Sequence, residues 1–240
     1  MPKSKEHRGA FPYRPPTASI RRSYPEVFRL RAPLGPRPAK LVFDKVVAIT
    51  ILILVSPLVL LLWAAYIVEG VFIPSHGGPM LYSYKAVSGG RVFPKYKFRV
   101  IREDAILQDL AKVGDWHAYK NEWDPRCPTH VGRIVKAFYL DEIPQFINVL
   151  RGDMSIVGPR PLAVHHYERD LKQGNVSRKV IRGGLLGLGH IMKGTAQMGD
   201  PVYEYEYIRQ YMQRSGWGIL RLDLGIIGRG ILLMLKGKGH

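Results

Sequence analysis

Residues 46–68 read VVAITILILVSPLVLLLWAAYIV, a run of 23 residues without a charged side chain, bounded by Lys45 and Glu69. A helix of this length is long enough to cross a bilayer. Ser56 and Pro57 lie at the middle of the run, where the proline removes a backbone hydrogen bond and bends a helix. Each half of the run would be only about 16 Å long as a helix.

Positive charge flanks this run on both sides. Residues 1–40 carry a net charge of +8, residues 41–69 a net −1 and residues 70–240 a net +10. A helix that spans the membrane usually has its basic residues on one side, in the cytoplasm. The sequence therefore predicts a re-entrant helix over residues 41–70, which breaks at Ser56-Pro57 and returns to the face from which it entered. A single span and a buried helix of a soluble protein are the alternatives.

The overall composition limits the partners. The 240 residues carry a net charge of +17, which calls for an anionic partner such as nucleic acid, anionic lipid or a phosphate-bearing substrate. Residues 1–40 are rich in Pro, Arg and Ser without an amphipathic period, so we expect a disordered basic tail. The single cysteine, Cys127, excludes an intrachain disulfide and suits a reducing compartment.

Downstream of the apolar run we expect one cytosolic domain, residues 71–240, of the α+β class and mainly α. Alternation of polar and apolar residues on both sides of Ser88-Gly89-Gly90 predicts a β-hairpin over residues 80–100. Helical spacing predicts helices over residues 105–113, 140–150 and 203–213. Residues 217–235 are apolar but interrupted by Arg221, Asp223 and Arg229. That pattern is typical of an interfacial amphipathic helix associated with the membrane.

Residues 140–161 read LDEIPQFINVLRGDMSIVGPRP and carry the candidate chemistry. Asp141 and Glu142 are neighbours on a predicted helix and point about 100° apart, so they cannot oppose each other across a sugar ring as glycosidase carboxylates do. At a helix start they would stay ionised in a position that attracts phosphate. One could attack phosphorus while the other holds Mg²⁺. The alternative is a helix capped by ordinary first-turn acids.

Arg160 stands between two prolines that fix its backbone, and its guanidinium suits bidentate phosphate binding. The alternative is a surface arginine in a rigid loop. We expect Asp153 to be a structural residue of a turn. We do not expect zinc at His165-His166, because adjacent helical histidines project in different directions and no third ligand is evident nearby.

Residues 140–162 closely resemble the signature of the bacterial sugar transferases, which are monotopic phosphoglycosyl transferases. The family pattern is a Leu-Asp-Glu-Leu-Pro-Gln-Leu core followed by Gly-Asp-Met-Ser and Val-Gly-Pro-Arg-Pro. Lys97-Phe98-Arg99 resembles the family's Lys-Phe-Arg after the hairpin. Ser56-Pro57 matches its break in a re-entrant helix. The resemblance covers residues 40–238.

The resemblance implies a two-step phosphoryl transfer. Asp141 would be the nucleophile on the β-phosphate of a nucleoside-diphosphate sugar, such as a UDP-sugar, and Glu142 would bind Mg²⁺. The implied phosphate- and substrate-binding residues are Arg160, Lys136, Lys97 and Arg99. Polyprenyl (undecaprenyl) phosphate would then accept the sugar phosphate, as the first membrane step of polysaccharide or glycoconjugate synthesis. The implied place is the cytosolic face of the bacterial inner membrane, with the lipid bilayer and no nucleic acid as partner. Homo-oligomerisation stays open.

Two departures from the family pattern affect substrate recognition. Lys136 stands where the family often has arginine, which keeps the charge without the bidentate fork. Residues 183–190 read GGLLGLGH where the family usually has Pro-Gly-Ile-Thr-Gly-Leu-Trp-Gln. His190 could replace the missing amide or be a loop residue. The sugar, the nucleotide and the glycan pathway are therefore open. Another membrane phosphotransferase, an inactive homologue and a membrane-anchored scaffold for nucleic acid or acidic polymers are the competing interpretations.

Overall fold

The computed structural model describes residues 14–192 and 199–235, without the side chains of His190, Met234 and Leu235. The α-helices are α1 (Ala18–Ser23), α2 (Pro25–Phe28), α3 (Pro38–Phe72), α4 (Gln108–Lys112), α5 (His130–Ala137), α6 (Gln145–Arg151), α7 (Val164–Lys172), α8 (Ser177–Val180), α9 (Val202–Gln213) and α10 (Gly216–Leu235). The strands are β1 (Leu81–Ser88), β2 (Arg91–Phe98), β3 (Ser155–Val157), β4 (Leu162–Ala163) and β5 (Gly184–Leu186). The fold is mostly helical, as predicted.

The predicted β-hairpin is confirmed. β1 and β2 pair antiparallel, and Ser88 stands opposite Arg91 at the closed end. Gly89 and Gly90 form the turn with positive φ values, which glycine adopts without strain. β4 adds to the free edge of β1 to complete a three-stranded sheet, and β3 and β5 form a separate parallel pair. The predicted helix over residues 203–213 is confirmed as α9.

α3 contains the apolar run and is long and apolar enough to cross a membrane. The helix continues through Pro57. Ser56 Oγ donates to the carbonyl of Ile53 at 2.8 Å, a local bond that often accompanies helix bending. The middle turns expose large apolar side chains, with Leu54 70% and Leu60 66% exposed. Such a surface suits a hydrocarbon environment, whereas the re-entrant path itself stays a prediction.

Both ends of α3 are tied to the rest of the protein by buried polar side chains. Near its start, Lys40 forms an ion pair with Asp223 of α10. One turn later, Asp44 accepts hydrogen bonds from Ser155 Oγ at 2.7 Å and from a backbone amide of β3. Near its end, Glu69 accepts from the first backbone amides of α5. The apolar middle therefore lies between two anchored ends.

The expectation of a disordered tail is wrong for residues 14–40. Tyr24, Val27 and Phe28 face the body of the protein, and Val27 is fully buried. Phe28 stacks on Tyr205 of α9 with ring centroids 4.8 Å apart. The reason is an i, i+3, i+4 apolar spacing that gives even this short segment one buried face. Residues 1–13 lie outside the described residues.

Two predicted helices differ in their bounds. In place of one helix over residues 105–113, the structure has a 3₁₀ turn, Glu103–Ala105, followed by the short helix α4. The segment at residue 140 opens with a 3₁₀ turn, Leu140–Glu142, and α6 begins only after Pro144. Asp141 and Glu142 therefore lie one turn ahead of α6. The charges that stabilise these two carboxylates therefore come from basic side chains, and not from the first turn of α6.

Candidate active site

One face of the hairpin carries two lysines, of which Lys95 is buried and Lys97 is partly buried. Lys95 and Lys97 alternate along β2 and so project to the same side of the sheet. In the β1 register they stand opposite Tyr84 and Tyr82. Tyr82 stacks on Tyr119 with ring centroids 4.0 Å apart. An aromatic wall and two ammonium groups therefore share one face of the hairpin.

Asp141 meets this face at Lys97. Oδ2 of Asp141 lies 2.9 Å from Nζ of Lys97, and Oε2 of Glu122 lies 3.2 Å from the same nitrogen. The hydroxyl of Tyr82 donates to the other oxygen of Glu122. Burial alone would lower the pKa of Lys97, but Glu122, Tyr82 and Asp141 hold that pKa well above its ordinary value. Lys97 is therefore a fixed positive charge between two carboxylates.

Glu142 forms the second ion pair of the site. Both of its carboxylate oxygens accept from the two terminal guanidinium nitrogens of Arg160, in the bidentate arrangement that favours a defined geometry. Burial alone would raise the pKa of Glu142, but Arg160, followed by Lys95, holds it well below the usual range. The structure thus brings together Asp141, Glu142 and Arg160, although 18 residues separate the last two along the chain.

The loop that carries Arg160 is held in place by a buried arginine. The carbonyl oxygen of Arg160 accepts a hydrogen bond from Nε of Arg178 at 2.9 Å, and Arg178 in turn forms an ion pair with Glu204. Gly184 packs directly against the backbone before this loop, since a Cβ there would lie 2.1 Å from the amide nitrogen of Gly158. The first residues of the unusual block 183–190 therefore pack against the Pro-Arg-Pro loop.

Lys95 is a site residue that the sequence reasoning missed. It is 1% exposed, and its nitrogen lies 6.0 Å from the ring centroid of Tyr84. Burial and the neighbouring Arg160 lower the pKa of Lys95 to about 7. Its alternation with Lys97 along the strand was the signal that could have found it. Glu122 was also missed, and it lies in a segment without a recognisable motif.

The structure places the other two predicted basic residues differently. Nζ of Lys136 donates to the carbonyl of Glu122 at 2.6 Å and lies 4.1 Å from the ring centroid of Trp123, at the edge of the cluster. Arg99 is buried and donates to the backbone carbonyls of His76, Pro79 and Ile101. Within the described residues, no hydrogen bond or ion pair joins Arg99 to Asp141 or Glu142. Its contacts are those of a residue that holds the loop before β1.

The site contains the donor types that a magnesium ion prefers. Mg²⁺ is usually held by one or two carboxylates together with substrate phosphates. The carboxylates of Asp141 and Glu142 are adjacent, and Glu142 keeps a side-chain exposure of 27%. The residues present therefore fit this ion, with Glu142 the more accessible ligand. Asp153, in contrast, accepts from Asn148 and pairs with Arg151, which is a structural arrangement.

Comparison with known proteins gives consistent matches. Residues 36–237 match the family described as bacterial sugar transferase. The chain is 40% identical over 139 residues to the undecaprenyl-phosphate galactose phosphotransferase of Salmonella typhimurium, an alignment that covers 54% of this chain and 28% of that protein. It is 36% identical over 198 residues to the UDP-glucose:undecaprenyl-phosphate glucose-1-phosphate transferase of Klebsiella pneumoniae, covering 81% and 39%. It is 35% identical over 212 residues to the exopolysaccharide production protein ExoY of Rhizobium meliloti, covering 84% and 87%. The chain thus spans well under half the length of the first two relatives and most of the third.

Proposed function

Because the chain belongs to the bacterial sugar transferase family, we propose that it transfers a sugar 1-phosphate from a UDP-sugar to undecaprenyl phosphate. The observation that carries this proposal is the pairing of two adjacent carboxylates with separate cations, Asp141 with Lys97 and Glu142 with Arg160. The printed names of two relatives describe transfer of this kind onto undecaprenyl phosphate.

In the first step, a carboxylate oxygen of Asp141 attacks the phosphorus that carries the sugar. The bond from this phosphorus to the bridging oxygen breaks, and UMP leaves with the electron pair. A sugar phosphate remains covalently bound to Asp141 as an acyl phosphate. Lys97 supports the step because its ammonium group lies beside the attacking carboxylate, where the transferring phosphoryl oxygens would develop charge.

Arg160 and Glu142 have complementary parts in binding the diphosphate. The guanidinium of Arg160 can exchange its bidentate partner, because two oxygens of a phosphate can accept from the same fork that now binds the Glu142 carboxylate. Glu142 would then be free to hold Mg²⁺, which supplies charge neutralisation on the diphosphate. Lys95 adds a further ammonium group on the same side of β2.

In the second step, a phosphate oxygen of undecaprenyl phosphate attacks the same phosphorus, and the Asp141 carboxylate leaves. The products are the free enzyme and undecaprenyl diphosphate sugar, so the atoms balance over the two steps. The acceptor is a lipid, and this requires the site to lie at the bilayer surface. The exposed apolar middle of α3 supports a membrane location. The proposal places the site on the cytosolic face of the inner membrane.

Purified protein with Mg²⁺, undecaprenyl phosphate and a panel of UDP-sugars should release UMP with one of them. Asp141→Asn should abolish this release, because an amide is a poor nucleophile toward phosphorus. Wild-type protein incubated with the radiolabelled sugar nucleotide alone should carry the label after denaturation, and Asp141→Asn should not. Undiminished turnover in Asp141→Asn would overturn the assignment of the nucleophile, and release of UDP would indicate glycosyl transfer instead.

A further inference from the structure

We propose that Glu69, His76 and His130 form a binding site for a divalent transition-metal ion of the zinc type, separate from the Asp141–Glu142 site and additional to the transfer reaction. One ligand atom from each of the three residues lies within 4.8 Å of the other two, and no other group of three potential ligands in the described part of the chain meets this condition. The site takes its ligands from the end of α3, from the turn Pro74–His76 and from the first residue of α5.

The side chains already converge on one point. Nδ1 of His76 lies 2.7 Å from Oε1 of Glu69. The imidazole rings of His76 and His130 have centroids 5.3 Å apart and planes inclined at 49°. In a tetrahedral site, metal–ligand bonds of about 2.0–2.2 Å place the ligand atoms about 3.4 Å from each other. The three ligand atoms lie within 4.8 Å of one another, so binding needs shifts of up to about 1.4 Å, and rotation of the exposed His130 side chain can supply them.

The neighbouring backbone orients two of the three ligands. The carboxylate of Glu69 accepts from the backbone amides of His130 at 2.6 Å and Val131 at 3.1 Å, which fixes its plane. The carbonyl of His76 accepts from the buried Arg99 at 2.9 Å, which holds the turn that presents the imidazole. Metal sites depend on such surrounding hydrogen bonds to aim their ligands. Arg99, which makes no bond to Asp141 or Glu142 in the described residues, therefore positions the turn of His76 at this site.

The donor set selects the class of ion. Two imidazole nitrogens and one carboxylate oxygen suit zinc and its neighbours, whereas magnesium and calcium prefer oxygen donors throughout. Glu69 is buried and His130 is exposed, so the site is closed on the protein side and open to a fourth ligand from solvent. The imidazoles bind as neutral rings, and His76 would exchange its hydrogen bond to Glu69 for a bond to the ion.

A metal ion at this place would fasten the end of the apolar helix to α5. α5 contacts the Leu140–Glu142 turn that carries the catalytic carboxylates. Three segments that are separate in sequence would then be cross-linked between the membrane element and the active site. The expected effect is an increase in stability upon metal binding, because an ion that binds only the folded protein stabilises it by mass action.

The test uses the full-length protein without an affinity tag, stripped with chelator and kept in excess Mg²⁺ so that oxygen-donor sites are filled. We expect one equivalent of Zn²⁺ to remain after gel filtration, Co²⁺ to give the visible absorption of a nitrogen- and oxygen-ligated ion, and the melting temperature to rise. His76→Ala and His130→Ala should each weaken binding at least tenfold and remove the thermal shift. Since His130 is exposed, His130→Ala should fold normally.

His117→Ala is the matched control, because His117 belongs to a second histidine group with His165 that lies elsewhere on the surface. It should retain full metal binding. Absence of Zn²⁺ binding by the wild type at micromolar concentration would overturn the proposal. Unchanged binding in both His76→Ala and His130→Ala, or its loss in His117→Ala, would do the same. None of these outcomes bears on UMP release, so the metal site and the proposed function fail independently.

Discussion

The ammonium nitrogen of Lys97 lies 2.9 Å from Oδ2 of Asp141, and the two residues reach each other from β2 and from the turn before α6. The same nitrogen is shared with Glu122, so its charge is balanced by two carboxylates in the absence of substrate. In the proposed reaction, an incoming diphosphate would add negative charge at this point. Lys97 would then be the cation that the transferring phosphoryl group meets at the carboxylate of Asp141.

Lys97→Met should lower kcat for UMP release by about 100-fold or more, in the range found when one preorganised charge or donor is removed from an active site. The reason is that methionine fills the space of the lysine stem but leaves both carboxylates without their shared cation. Lys85→Met is the matched control, since Lys85 is an exposed lysine of the same hairpin. A variant at Lys97 that keeps wild-type kcat would contradict the role assigned to this residue.

Arg160→Lys should reduce kcat/KM for the sugar nucleotide by on the order of 10- to 100-fold, although the charge is kept. Lysine cannot reproduce the two parallel bonds that Arg160 makes to Glu142 and would make to phosphate. Steady-state kinetics at varied donor concentration measure the effect. Arg151→Lys, at the exposed last residue of α6 and away from the Asp141–Glu142 turn, should change kcat/KM less than twofold. Equal kinetics in the two variants would remove the argument for bidentate binding.

Lys95→Met should make the protein more stable at neutral pH. The pKa of Lys95 is about 7 in the folded protein, against about 10.4 in an unfolded chain. Between these values the unfolded chain binds more protons, so the destabilisation by Lys95 is complete below pH 7 and is lost as the pH rises towards 10. We expect a gain of about 1–3 kcal/mol in the free energy of unfolding at pH 7.

Urea unfolding of the wild type and Lys95→Met at pH 6, 7, 8 and 9 measures this difference. The gain should be largest at pH 6 and should shrink steadily towards pH 9, because the wild type becomes more stable while the variant lacks this dependence. Lys85→Met again supplies the comparison with an exposed lysine. A pH-independent difference would show that packing, and not the charge of Lys95, is responsible.

The sequence was sufficient where a pattern is local or where a motif is long. Alternation on both sides of Gly89-Gly90 predicted the hairpin, and an uncharged run predicted the long apolar helix. The motif that includes Asp141, Glu142 and Arg160 predicted which side chains would cluster. Each of these follows from chain neighbours or from one segment of about twenty residues.

The sequence was insufficient where a buried charge finds its partner across the fold. Glu122 and Lys97 are 25 residues apart, and their ion pair depends on how the segment Trp116–Trp123 packs on β1 and β2. Lys95 is buried beside Tyr84 and feels the charge of Arg160, which comes from a distant part of the sequence, so no periodicity predicts this arrangement. The basic composition of residues 1–40 likewise concealed the short apolar face around Val27 that makes this segment part of the body.

The re-entrant path predicted for α3 would place both of its flanks in the cytosol. A straight helix would hold Lys40 and Glu69 about 43 Å apart, which is more than the ~30 Å hydrocarbon core, and would place them on opposite sides. Yet Lys40 pairs with Asp223, and Glu69 accepts from α5, so both ends bond to the same body. We therefore predict a bend at Ser56-Pro57 in the membrane, which would reconcile the apolar length with these two anchors.

Single cysteines test this path in a Cys127→Ser background, at the exposed positions Ser23 and Lys112 on the two sides of α3. A membrane-impermeant maleimide should label Ser23→Cys and Lys112→Cys in inside-out vesicles and neither in intact spheroplasts. Leu60→Cys, in the exposed apolar middle, should stay unlabelled in both because hydrocarbon shields it. Labelling of Ser23→Cys and Lys112→Cys from opposite sides would establish a single span. The contacts of Lys40 and Glu69 with one body could not then both persist in the membrane.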